Sequence, residues 1–301
     1  MMREDVEFGA QGATLRGWFY PAAGREGQKA PCVVLQHGFS AVKEMGLDRY
    51  AETFQAVGLS ALAYDHPGFG ASDPLPGSPR QEVDPWQQVR CIQHAITYAQ
   101  GRDDVDPHRI GLWGSSLGGG NAFVAAAIDH RVRAVVGQVP FITGSGAVGA
   151  EGQSEVHDAL LAAERLGRAA GAPATVIPVV AEDPNVPSVL PTPDAWAWFS
   201  QTEKDEATTW RNEVTATSGE YVRGYEPGVY LPFIAPTPLL MIVAPLDRTT
   251  PGAGATSAYE TAAHPKKLEL IPGGHFDVYD GEEFRLASQA ACDWFTEHLC
   301  G

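Results

Sequence analysis

The sequence predicts an α/β protein: a mostly parallel sheet with helices on both faces, entered through an N-terminal antiparallel hairpin. Three observations predict it. Strand-like, mostly apolar runs at 32–36, 59–64, 132–139 and 238–244 alternate with stretches of helical periodicity, the order that a parallel sheet requires. Two further runs, 6–10 and 14–20, flank Gln11-Gly12 and read as a hairpin. Finally, the apolar run 110–113 stops at Gly114-Ser115-Ser116-Leu117-Gly118, and a small-residue helical segment, 121–128, follows. This is the G-x-S-x-G pattern of a sharp strand-to-helix turn that lifts a serine hydroxyl out of a sheet. Its glycines stand where backbones pass too closely for a Cβ.

Taken in order, the hairpin leads through a polar loop, 24–30, to the buried strand 32–36, which ends in His37-Gly38-Phe39-Ser40. An amphipathic helix, 45–57, precedes strand 59–64 and the glycine-rich loop Asp65-His66-Pro67-Gly68-Phe69-Gly70. A Pro/Gly/Ser loop, 71–80, leads to a helix at 83–100, with Asp84-Pro85 suited to its first turn. Asp106-Pro107 reads as a turn into the strand before Ser116, and 132–139 as the next strand. Residues 141–233 break the rhythm: a helix at 155–170, a proline-rich stretch from Pro173 to Pro193, then the aromatic cluster Trp196, Trp198, Phe199 and Trp210. So long and strand-poor a segment reads as an insertion over the sheet. Strand 238–244, helix 253–263, strand 267–271 and helix 282–299 complete the chain.

The chain has 301 residues, enough for one large α/β domain, and its 44% hydrophobic content sustains a substantial core. A formal net charge of −16 repels nucleic acid and anionic membranes, so neither is expected as a partner. Cys32, Cys91, Cys292 and Cys300 are scattered without a C-x-x-C pair and read as free thiols. With no apolar signal core at the N-terminus and no apolar run near 18 residues, a cytoplasmic protein is expected. Homo-oligomerisation is left open.

A serine hydroxyl is too weakly acidic to attack unaided; it needs a histidine base, and the histidine needs a carboxylate to fix its tautomer. In a parallel α/β sheet, reacting groups gather beyond the carboxyl ends of the strands. Asp247 follows strand 238–244 through Pro245-Leu246, and His275 follows strand 267–271 through Pro272-Gly273-Gly274. The order Ser116, Asp247, His275 is that of a nucleophile, orienting acid and base around such a turn. Asp277 is a rival acid, badly placed on the histidine's own loop. His94, His130, His157 and His298 lie on or near helices, and His108 and His264 beside prolines.

An oxyanion needs donors. The backbone N–H groups of Leu117 and of Phe39, with Ser40 second, are the candidates, and His37 is expected to brace its loop. No metal motif, phosphate loop or dinucleotide fingerprint is found, so no cofactor and no metal are expected. Phe141, Trp196, Trp198 and Phe199 either line a substrate pocket or pack the insertion onto the core.

His37-Gly38-Phe39, Asp65-His66-Pro67-Gly68-Phe69-Gly70-Ala71-Ser72, Gly114-Ser115-Ser116-Leu117-Gly118, the Asp247 turn and Gly273-Gly274-His275-Phe276 all stand where the α/β-hydrolase superfamily has its landmarks. The chain resembles that superfamily over nearly its whole length. Pro79-Arg80-Gln81-Glu82-Val83-Asp84-Pro85-Trp86 and Glu213-Val214-Thr215 resemble its dienelactone-hydrolase-related branch, which includes polyketide-transferase-like hydrolases. The resemblance implies an eight-stranded α/β-hydrolase core, 1–140 and 234–301, with 141–233 as an inserted, mainly helical cap. Two positions depart from the pattern: dienelactone hydrolases proper use cysteine where this chain has Ser116, and the family's loop often has Arg where His66 stands.

The function expected is a cofactor-independent serine hydrolase cleaving an ester, lactone, thioester or amide of a small-molecule acyl substrate, with carboxylic esters foremost. An acyltransferase in secondary-metabolite biosynthesis would use the same three residues. A non-catalytic ligand receptor on the same scaffold is the third reading.

Overall fold

Eight strands form one sheet in the order β1-β2-β4-β3-β5-β6-β9-β10. The computed structural model describes residues 3–25, 27–147, 153–205 and 208–301. β1 (Glu4–Ala10) and β2 (Ala13–Tyr20) form the antiparallel hairpin, and β2 pairs antiparallel with β4 (Ser60–Tyr64). From β4 onward the pairing is parallel through β3 (Ala30–Gln36), β5 (Val105–Ser115), β6 (Val132–Gln138), β9 (Leu239–Val243) and β10 (Lys266–Leu270).

Period-2 alternation feeds two cores. Cys32 and Val34 of β3 face one side, with Val89, Ile92 and Ile96 of α2 (Pro85–Gln100) and the apolar residues of α3 (Leu117–Ile128). Val33 and Leu35 face the other, with Tyr50 and Phe54 of α1 (Leu47–Ala56) and Ala291 and Phe295 of α9 (Gly281–Cys300). Covered on both faces, β3 is buried along its whole length, which is why it reads as an unbroken apolar run. Asp84 caps α2 by accepting the Trp86 and Gln87 N–H groups at 3.0 and 3.1 Å, and Pro85 occupies the first turn.

The chain leaves β3 outward to β4 and returns on the other side as β5. That reversal opens a crevice at the carboxyl ends of β3 and β5, where α/β sheets hold their ligands. In register, Gln36 faces Gly114, so the loop after β3 and the turn after β5 meet there.

Residues 139–238 connect β6 to its parallel neighbour β9. The described part holds α4 (Gly144–Ala147), α5 (Gln153–Ala169), α6 (Pro193–Asp205), α7 (Ala216–Arg223) and a two-stranded ribbon of β7 (Val176–Ile177) and β8 (Val214–Thr215). α8 (Gly252–Tyr259) then links β9 to β10. The aromatic cluster is thus mostly a helix, which its sequence did not predict. A second difference concerns Asp106-Pro107: β5 begins at Val105, and the expected turn is a bulge where pairing shifts from Ala30↔Val105 to Cys32↔Ile110. Among the described residues, no helix is long and apolar enough to cross a membrane.

All four cysteines are free, and Cys32, Cys91 and Cys292 are buried. Burial pushes the Cys91 and Cys292 thiols up to about 12, so both stay protonated and unreactive near neutral pH.

Candidate active site

The turn after β5 puts Ser116 at φ 57, ψ −123, a conformation that costs a residue with a Cβ about 1–3 kcal/mol. Neighbouring contacts fix it there. A Cβ on Gly114 would lie 2.1 Å from Gly118 O, and one on Gly118 would lie 2.5 Å from His37 O. Both glycines of the motif therefore let the turn close against itself and against the β3 loop. The Ser116 N–H donates to Gln138 O at 2.9 Å, while Ser116 O accepts from Phe141 and Gly119 at 2.9 and 3.0 Å.

His275 and Asp247 arrive from the loops after β10 and β9. His275 Nδ1 lies 2.7 Å from Asp247 Oδ2, and both side chains are buried. Asp247 Oδ1 accepts the N–H groups of Thr249 and Thr250, each at 2.8 Å. The carboxylate is therefore held on its own loop with one oxygen left for the imidazole, which fixes the histidine proton on Nδ1 and leaves Nε2 as the basic nitrogen. Asp277 serves the loop instead of the imidazole. Its Oδ2 accepts the Gly274 N–H at 2.7 Å, closing the segment that carries His275.

Thr250 was not foreseen from sequence. Its hydroxyl lies 2.8 Å from both Asp247 Oδ2 and Val139 O, tying the acid to the end of β6. Thr250→Val removes this tie without touching the cavity wall. It is expected to lower kcat about tenfold, the worth of one charge-assisted hydrogen bond, with KM unchanged. Steady-state kinetics on an activated ester check it.

Ser116 and His275 line one cavity together with Phe39, Ala41, Met45, Leu47, Trp198, Phe199, Phe276 and Tyr279. Among the described residues Ser116 Oγ makes no hydrogen bond; the serine–histidine bond of such sites is often long before substrate is bound. Of the aromatic residues singled out from sequence, Trp198 and Phe199 reach the cavity. Phe141 and Trp196 do not: both pack with the apolar cluster that holds α3. Trp198 lies over Phe276 and Tyr279, with ring centroids 5.3 and 4.9 Å away. This stacking packs α6 against the segment that follows His275. The cavity measures about 30 Å³ and opens to solvent.

Gly38 backs directly onto the serine, since a Cβ there would lie 3.2 Å from Ser116 Cβ. The backbone N–H groups of Phe39 and Leu117 have no backbone acceptor among the described residues. That leaves both donors free beside the serine, and at Leu117 this is the normal state of a first helical turn.

Two buried contacts brace the Phe39 loop. Asp65 accepts the Lys43 backbone N–H at 2.8 Å, Lys43 Nζ at 2.7 Å and the Ala71 N–H at 3.0 Å. His37 Nδ1 lies 3.0 Å from Gly38 O, and its Nε2 accepts the His66 N–H at 3.1 Å. Burial pulls His37 down to about 4 and His66 well below the ordinary histidine range, so both are neutral near pH 7. His66, edge-on to His37 and Tyr64, has no partner for either ring nitrogen among the described residues. No described group of three or more His, Cys, Asp or Glu residues is arranged to hold a metal ion.

The profile of the alpha/beta hydrolase fold matches residues 31–165. The polyketide transferase grgF of a Penicillium species is 30% identical over 99% of this chain and 97% of its own length. The thiohydrolase aneE of Aspergillus aculeatus is 29% identical, covering 99% of this chain and 94% of the relative. The crystal structure of the alpha/beta hydrolase GrgF from Penicillium superposes over 100% of both chains with a TM-score of 0.87 at 29% identity.

Proposed function

The chain belongs to the alpha/beta hydrolase family, in the branch of the polyketide transferases, and from that membership we propose that it cleaves a thioester or ester by transferring the acyl group to its own serine. The observation that carries this reading is the cavity shared by the strained Ser116 and His275, with His275 Nδ1 held 2.7 Å from buried Asp247.

In the proposed cycle, Ser116 Oγ attacks the acyl carbonyl carbon while His275 Nε2 takes the hydroxyl proton. Asp247 steadies the imidazolium so formed. The Phe39 and Leu117 N–H groups stabilise the oxyanion. As the tetrahedral intermediate collapses, the C–S or C–O bond breaks and the leaving thiol or alcohol takes the proton from His275. Water, activated by the same histidine, then attacks the acyl-enzyme and releases the acid. Residues 141–233 act as a cap, with α6 above the serine.

A second reading replaces water by an alcohol, amine or thiol acceptor. The largely apolar wall of the cavity favours it, and relatives named polyketide transferase and acyltransferase support it.

A fluorophosphonate probe, which reacts only with an activated serine, is expected to label the protein at Ser116, located by peptide mass mapping. Absence of labelling would overturn the covalent mechanism under either reading. Product analysis with and without added acceptors then separates hydrolysis from transfer.

A further inference from the structure

One chain of polar side chains runs from the cavity into the core. Tyr279 Oη lies 2.5 Å from Ser115 Oγ, Ser115 Oγ lies 3.4 Å from Gln138 Nε2, and Gln138 Oε1 lies 2.7 Å from Tyr50 Oη. Tyr50 Oη in turn lies 2.7 Å from Val278 O. Ser115 and Tyr279 both line the cavity beside Ser116 and His275, yet neither takes part in the proposed reaction.

The direction of this chain follows from proton counts. Val278 O can only accept, so the single Tyr50 proton goes to it. Tyr50 then needs a donor from Gln138, and a half-turn of the amide puts its NH2 group there; amide oxygen and nitrogen exchange places by such a turn without moving any other atom. The amide oxygen then faces Ser115 and takes the Ser115 proton. At the outer link the phenol is a far stronger acid than the alcohol, so Tyr279 donates to Ser115. Both arguments give the same direction, from the cavity inward. The Tyr279 proton is used, and its oxygen retains lone pairs only.

We propose that Tyr279 is a specificity-determining residue that offers substrate a hydrogen-bond acceptor, so that the enzyme selects an uncharged acyl group carrying a hydroxyl or N–H donor. The inference rests on the acyl-transfer reading of the same site. Among the described residues no Lys, Arg, Asp or Glu lines the cavity, so a charged acyl group finds no partner among them. An aromatic wall whose polar lining includes the Tyr279 oxygen as a fixed acceptor suits a neutral, hydroxylated group, and a site built to pair with a hydroxyl discriminates against the analogue that lacks it.

The test compares p-nitrophenyl esters of 3- and 4-hydroxyphenylacetate with the corresponding methoxy and unsubstituted esters. The wild-type enzyme is expected to favour one hydroxylated ester about tenfold in kcat/KM, the worth of one neutral hydrogen bond. The preference is read as a ratio within each variant, so a general loss of activity cancels. Tyr279→Phe should bring the ratio near one. Ser115→Ala frees the Tyr279 proton and should shift preference towards the methoxy esters, which only accept; a merely structural role for the chain would not reverse the preference. Turnover without any hydroxyl preference in the wild type, or a preference that survives in Tyr279→Phe, overturns the inference and leaves the acyl-transfer reading standing. No turnover of any ester, with no phosphonate labelling of Ser116, overturns both.

Discussion

Ser116→Ala is expected to reduce kcat by about six orders of magnitude, the cost of removing the serine from a triad that acts as a unit. Uncatalysed chemistry at an intact oxyanion site leaves a residue of about 10³-fold over water. Stability should be unaffected, because alanine keeps the Cβ and hence the strain at φ 57. Ser116→Gly should be equally inactive yet more stable by about 1 kcal/mol or more, because glycine adopts this backbone without penalty. Active-site kinetics and urea unfolding on the two variants separate the serine's chemistry from its conformational cost. A Ser116→Ala variant with near-normal turnover would sink the mechanism. A Ser116→Gly variant less stable than the parent would show that the turn is not strained.

The carboxyl ends of the strands were readable because the rules there are local. A strand that is apolar throughout predicts burial on both faces, and a reacting residue must follow it within a few positions. Asp247 meets that condition after Ala244, whereas His275 follows the partly exposed edge strand Lys266–Leu270, and the fold brings the two side chains to 2.7 Å. Side chains whose place depends on how separate elements pack were not readable. Trp196 and Trp198 stand two apart, which on a helix turns them to opposite sides, so only one can reach the cavity. Without a helix assigned at Pro193–Asp205, nothing in the sequence chose between them. Phe141 looked equally suited, but the backbone bond from its N–H to Ser116 O makes it part of the floor of the turn. Thr250 and Tyr279 were missed for a related reason: an ordinary threonine and tyrosine acquire meaning only from partners more than 100 residues away, Val139 and Ser115. The motif pointed to the candidate reacting groups, and tertiary contact places the side chains around them.

His37 and His66 set a second large effect, on stability against pH. In the unfolded chain each titrates near pH 6.5; in the fold burial holds His37 to about 4 and His66 well below its ordinary value. Between those limits the unfolded state binds protons that the native state refuses, so stability rises with pH across the window and falls as pH drops through it. Each histidine that stays neutral contributes a loss of roughly 2 kcal/mol between pH 7 and pH 5. Together they remove about 4 kcal/mol, a large share of a typical 5–15 kcal/mol. Asp65 acts in the opposite sense, because burial raises its carboxyl above the ordinary value. Urea unfolding at pH 7, 6 and 5 measures the slope. His66→Leu should halve it and raise stability at pH 5, because His66 gives up no side-chain hydrogen bond among the described residues. A curve that is flat from pH 7 to pH 5 would mean that these rings are hydrated in solution. The His37 bridge between Gly38 and His66 would then not be the dry brace that holds Phe39 beside Ser116.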